Sequence, residues 1–190
     1  INLSALSRKI KPELEKRLFK KIETGAVVMA LKRLSKNLRS NDEDLNPLLS
    51  QISDITVRSN IAEFTFANSQ TLPKKISQVL ESSMEKQGSF LTETQGIFET
   101  SLLASFNLRE KILEIFKEER LKSTHDNLSS ITLILPEEAT QTSGVYYTVL
   151  KRLAWEGINI IEIVSSFTEL TLFLEKGSVD RAFSVLKSLS

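Results

Sequence analysis

The chain has 190 residues, 41% apolar and 26% charged, with a formal net charge of +1. Composition of this kind supports a buried core, and no apolar run approaches the ~20 residues of a membrane helix. With no cysteine and one histidine, His125, disulfides, thiolate metal sites, cysteine nucleophiles and paired-histidine chemistry within one chain are excluded.

No signal peptide is read, so a cytoplasmic protein is expected. The sequence opens on Ile1 rather than Met, as a fragment would. Charge is unevenly placed. Residues 1–40 hold eleven Lys and Arg against three Glu, leaving fourteen basic and twenty-one acidic residues for the rest. A basic head of this kind suits a polyanion, or an acidic surface of the protein itself.

In the head, Leu3, Leu6 and Ile10 recur at helical spacing, and Pro12 suits the first turn of a second helix carrying Leu14, Leu18, Phe19 and Ile22. Thr24 is positioned to cap a third helix, with Val27, Val28, Leu31, Leu34 and Leu38 on one side. Lys32, Arg33, Lys36 and Arg39 cover its other side and are the candidate nucleic-acid contacts. Three short helices with a basic last one resemble a helix-turn-helix unit, whose third helix would enter a major groove. Residues 39–51 read as a linker or short helical connector, since Ser40-Asn41-Asp42-Glu43-Asp44 is polar and Pro47 bars a continuous helix.

Two similar blocks follow. Asp54 to Ala67 alternates as a strand, with Asn60 as a kink. A helix opens at Thr71-Leu72-Pro73, carries Ile76, Val79, Leu80 and Met84, and ends at Gly88. Phe90 to Gln95 and Ile97 to Ala104 form a hairpin around Gly96. Asn107 caps a helix, and a short strand at 121–124 completes the set. In the second block, a strand at 130–135 precedes a helix from Gly144 to Trp155, with Trp155 in the core. A hairpin of Ile158 to Ser166 and Thr168 to Glu175 follows, then a helix from Ser178 to Leu189. The order βαββα(β), twice over, predicts an α+β fold of tandem ferredoxin-like units behind a small helical segment. The segments are 1–40, 52–125 and 126–190. The second unit lacks a last strand, so its sheet edge is expected to be covered by the head or by another chain.

The helix Val145–Trp155 is followed by Glu156-Gly157-Ile158-Asn159-Ile160, then Ser165-Ser166, then Thr168-Glu169-Leu170-Thr171. In that order these motifs resemble the core of an ACT domain, the small-molecule sensing module of amino-acid metabolism, and are most like the regulatory domains of aspartate kinases. The resemblance covers about 129–189 and reaches the first unit only in element order. It implies a βαββαβ unit of ACT type, pairing between units, and an effector held at the unit interface.

Carried onto this sequence, the effector contacts are Thr142, Ser143, Gly144 and Val145 at the helix start, Asn159 and Ile160 after the helix, and Ser165 and Ser166 at the hairpin bend. Helix-start N–H groups suit a carboxylate, and Gly144 allows close approach. Glu137 or Glu169 could meet an ammonium group. The acidic residue that the family places shortly before the glycine is replaced by Thr142-Ser143. The first unit's loop, Asn68 to Pro73, has no glycine, so that unit reads as structural. His125 reads as a loop residue, and Glu118-Glu119 as solvated surface.

The expectation is a non-enzymatic regulatory protein without cofactor or metal. Its ligand is an amino acid, it forms homo-oligomers, and nucleic acid is a partner of the head. The alternative is a ligand-free interaction module regulating a separate amino-acid biosynthetic enzyme.

Overall fold

The computed structural model describes residues 2–84 and 88–189, the side chains of 36–44 excepted. The chain falls into two compact units, Ile1–Pro47 and Leu48–Ser190.

The head contains two helices rather than three. α1 spans Leu3–Leu18 and runs through Pro12. Proline removes one backbone N–H and presses on the carbonyl four residues back, but the rest of the helix holds. Asn2 caps it, its side chain accepting from the Ala5 N–H at 3.1 Å. The helix stops at Phe19, which adopts a left-handed φ of 51°. α2 spans Thr24–Leu49 with Pro47 inside, so of the two readings of 39–51, linker or short helical connector, it is the helical one that holds up to Leu49, continuous with the helix before it. Pro47 lies in the last turn of α2 and does not bar the helix that runs through it. Glu23 rather than Thr24 stands before the first turn, its carbonyl accepting from Ala26 and Val27.

The second unit is one six-stranded antiparallel sheet in the order β2-β3-β1-β4-β6-β5. The strands are β1 Asp54–Ala67, β2 Leu91–Gln95, β3 Glu99–Ser105, β4 Leu121–Ile134, β5 Glu162–Ser165 and β6 Glu169–Glu175. The helices are α3 Leu72–Met84, α4 Arg109–Ile115, α5 Val145–Trp155 and α6 Val179–Lys187. α3 packs beside α4, and α5 beside α6. The stretch between Met84 and Gly88, where the end of α3 was expected, lies outside the described residues.

The strands expected at 121–124 and 130–135 are joined as the single 14-residue β4, which pairs with the equally long β1. Each of the two strands serves both halves of the sheet. Ile61–Ala67 pairs with β3 and with the first part of β4, giving the first ferredoxin-like half. Asp54–Arg58 pairs with Ser130–Ile134, whose other edge meets β6. The last strand missing from the second half is therefore supplied by the start of β1, not by the head or a second chain.

The crossover between halves is marked by Asn60 and Asn127, at φ 59° and 60°. The β1–β4 register shifts between Arg58 and Ile61 and again between Ile61 and Glu63. Each shift is a bulge that inserts one extra residue, first in β1 and then in β4. Asparagine tolerates the left-handed conformation that such a bulge needs.

On the helix-bearing face of the first half, Ala62, Phe64, Phe66, Leu72, Ile76, Val79, Leu102 and Phe116 form one cluster, with the Phe66 and Phe116 rings 4.6 Å apart. The other face carries Ile61 and Leu103, which cluster with Leu128 and Phe173 of the second half. Phe90 and Phe173 meet at 6.1 Å. The sheet thus curls until its two helix-free faces touch.

Trp155 is not in the core but 78% exposed. The buried stripe of α5 is Val145, Thr148, Val149 and Leu153, and two residues beyond Leu153 is about 200° around the helix. The Lys151 ammonium lies 5.2 Å over its ring. Among the described residues no helix is long and apolar enough to cross a membrane.

Candidate functional site

Strand β4 is followed by Leu135 and Pro136, and the chain turns through a 3-10 stretch, Glu137–Gln141, into α5. The turn consumes its own polar groups. Thr140 Oγ1 donates to the Glu137 carbonyl at 2.8 Å and Thr142 Oγ1 to the Glu138 carbonyl at 2.7 Å. Gly144 enters the helix at φ 89°, where any side chain would be strained. The Thr148 hydroxyl and N–H both donate to the Gly144 carbonyl, so the first turn is fixed from below. Val145 is buried, while Tyr146 and Tyr147 rise beside it, 47% and 62% exposed.

These residues surround a concavity of about 240 Å³ lined by Ala139, Thr140, Thr142, Gly144, Val145, Tyr146 and Tyr147. No acidic side chain lines it. The first N–H groups of a helix have no intrahelical carbonyl and carry partial positive charge, so the place favours a carboxylate with a small apolar body.

Of the expected contacts, Thr142, Gly144 and Val145 line this concavity, and Ser143 is the residue between. Ser165 is tied to it by a 2.6 Å hydrogen bond with the Tyr146 hydroxyl. Ser166 opens instead on a second cavity of about 150 Å³ between the helix-free faces, with Phe90, Thr92, Val164, Glu169, Thr171 and Phe173. Asn159 and Ile160 are not brought to Gly144. They follow α5, whose eleven residues carry the chain about 16 Å at 1.5 Å each.

The expected strand start at Ile158 is also displaced. The Ile158 N–H donates back to the Leu153 carbonyl at 3.0 Å, which closes the helix and delays β5 to Glu162. Thr140, Tyr146 and Tyr147 were missed as lining residues. For the two tyrosines the signal was a pair of aromatics separated from a glycine by one residue, on the outer side of an amphipathic helix. Lys32 and Arg33 are exposed on α2, whereas the side chains of Lys36 and Arg39 lie outside the described residues.

Two other positions, His125 and Glu119, differ from expectation. His125 is a strand residue paired with Glu63, and its Nδ1 lies 2.5 Å from the buried Glu63 carboxylate. Glu119 is not solvated. Its side chain is 5% exposed and accepts from Ser69, Thr71 and Lys75.

No family model matches the sequence, and no match is found among curated proteins. Solved structures do match in fold. The regulatory subunit of aspartate kinase from Thermus thermophilus, in ligand-free form, superposes with a TM-score of 0.59 at 13% identity, over 73% of this chain and 97% of that one. The Clostridium acetobutylicum aspartate kinase matches with a TM-score of 0.60 at 21% identity, over 73% of this chain and 34% of the longer enzyme. Escherichia coli aspartokinase III, solved with lysine and aspartate, matches at 0.55 and 16%, over 72% of this chain and 32% of that one. The fold is the tandem ACT-type, ferredoxin-like fold found in aspartate kinase regulatory domains.

Proposed function

We propose that this is a non-catalytic regulatory module whose second half binds a free amino acid at the start of α5. The observation that carries the reading is the concavity of about 240 Å³ at that helix start, built on a fold shared with aspartate kinase regulatory subunits. The helix N–H groups take the ligand carboxylate, Tyr146 and Tyr147 flank its body, and the Thr140 and Thr142 edge sets the size that fits. Asn159 and Ile160, at the far end of α5, reach a ligand only when a second copy brings them, so binding is linked to homo-oligomer geometry. The E. coli aspartokinase III structure holds lysine and aspartate, which makes these the first ligands to try.

Thermal shift and calorimetry of the whole chain against the twenty amino acids test the reading. Saturation by one or a few of them, lost in Gly144→Val, is the expected outcome. No stabilisation by any would remove the ligand, leaving an interaction module that regulates a separate biosynthetic enzyme.

The head favours a second role. Its eleven basic residues against three acidic ones and the exposure of Lys32 and Arg33 suit phosphate contacts. Duplex DNA binding is expected to weaken steeply with salt and to be reduced in the Lys32→Ala, Arg33→Ala double variant. Binding indifferent to both salt and variant would end that reading.

A further inference from the structure

The start of α3, the first half's counterpart of α5, is already filled. The Glu119 carboxylate accepts from Ser69 Oγ at 2.7 Å, from Thr71 Oγ1 at 2.6 Å and from the Lys75 ammonium at 3.0 Å. Ser69 in turn receives the Leu72 N–H at 3.1 Å, so the hydroxyl that holds the carboxylate also caps the helix. Glu119 comes from far along the chain, 48 residues from Thr71, and its backbone is pinned on both sides. Its own N–H donates to the Phe116 carbonyl, and the Arg120 carbonyl accepts from Ala67. Its side chain is 5% exposed and that of Lys75 18%. The three donors hold the carboxyl down at about 2, so it is anionic throughout the neutral range.

Among the described residues the second half shows no such carboxylate. The residue at the same distance from the 3-10 turn before α6 is Leu189, buried and apolar.

We propose that the start of α3 is a carboxylate-binding site which the chain occupies itself, with Glu119 as a tethered ligand held by Ser69, Thr71 and Lys75. The first half is thereby fixed in its filled state and answers to no external acid. This stands whether or not the second half binds an amino acid, because it rests on contacts within the first half alone.

The test is chemical rescue. In the full chain, Glu119→Ala empties the site without touching its donors. Unfolding temperature is measured with acetate and with chloride at equal ionic strength. The variant is expected to melt several degrees below the parent, and acetate, not chloride, to raise it by several degrees while leaving the parent unchanged. Adding Thr71→Val and Lys75→Met should abolish the rescue. Acetate shifting parent and variant equally, or neither, overturns the proposal, since a purely structural contact would be lost without being replaceable. If Glu119→Ala does not stay folded, its refolding yield reads the same question. Yield restored by acetate over chloride supports the site, and yield unchanged by acetate overturns it.

Discussion

Glu162 and Glu119 place two carboxyls in opposite electrostatic settings. Glu162 faces the helix-free interior, where burial and then the nearby Glu63 push its carboxyl up, against hydroxyls of Ser101 and Thr94 that donate to it. A group raised on folding stabilises fully below the unfolded value, and that contribution is lost as pH rises through the folded one. At neutral pH that contribution is diminished, so Glu162→Gln, which cannot ionise, is expected to raise the urea midpoint at pH 7.

Glu119 has the reverse sign. Its contribution is complete above its ordinary value of 4.5 and is lost as pH falls towards about 2. Between those values the parent should lose about 1–3 kcal/mol that Glu119→Gln lacks at every pH. Urea midpoints collected across acid pH check this, and parallel curves for the two proteins would contradict it. Tyr146→Phe removes the hydroxyl bonded to Ser165. It is expected to cost about 0.5–1 kcal/mol in a half-exposed place, and to weaken amino-acid binding by more than it weakens the fold.

The long paired strands β1 and β4 depend on Asn60 and Asn127, the two left-handed residues at their bulges. Asn127→Val should cost about 1–3 kcal/mol in unfolding free energy, and Asn127→Gly much less, because only the first forces a branched side chain into that region. Equal losses would place the cost in the side chain rather than the backbone.

Asn60 was legible as a kink, and the alternation of β1, the hairpin at Gly96 and the helix beginning at Gly144 were all plain in the sequence. Periodicity reports which side of an element is buried, and α5 buries one side against the sheet, whereas Ile61–Phe66 of β1 is buried on both faces. The joining of 121–124 to 130–135 was hidden by Thr124-His125-Asp126-Asn127, a polar run that reads as a loop. Its side chains satisfy a strand because Glu63 faces His125 across the ladder. The Glu119 contacts were hidden for a related reason. Its partners sit some fifty residues earlier, and no local pattern announces a tertiary hydrogen bond. Asn159 and Ile160 belong to the same set of motifs as Gly144, but the helix α5 lies between them.

At the scale of the whole unit, the ferredoxin-like halves are interlocked rather than strung in series. Asp54–Arg58 completes the second half although it precedes the first. A chain of residues 48–190 is expected to keep the full sheet, whereas one of 60–190 leaves the edge at Ser130–Ile134 bare. Size-exclusion chromatography should find the shorter chain aggregated or molten, and a monodisperse, cooperatively unfolding 60–190 would refute the dependence.

The wiring has a mechanical corollary. The segment that closes the second half begins only five residues after α2 ends at Leu49. A tug on the amino-terminal helices is therefore delivered first to the half that comes later in the chain, skipping the half in between. Whatever grips those helices has its hand on the late-made half's border strand, and peeling that strand would loosen the later half while the earlier one stayed zipped.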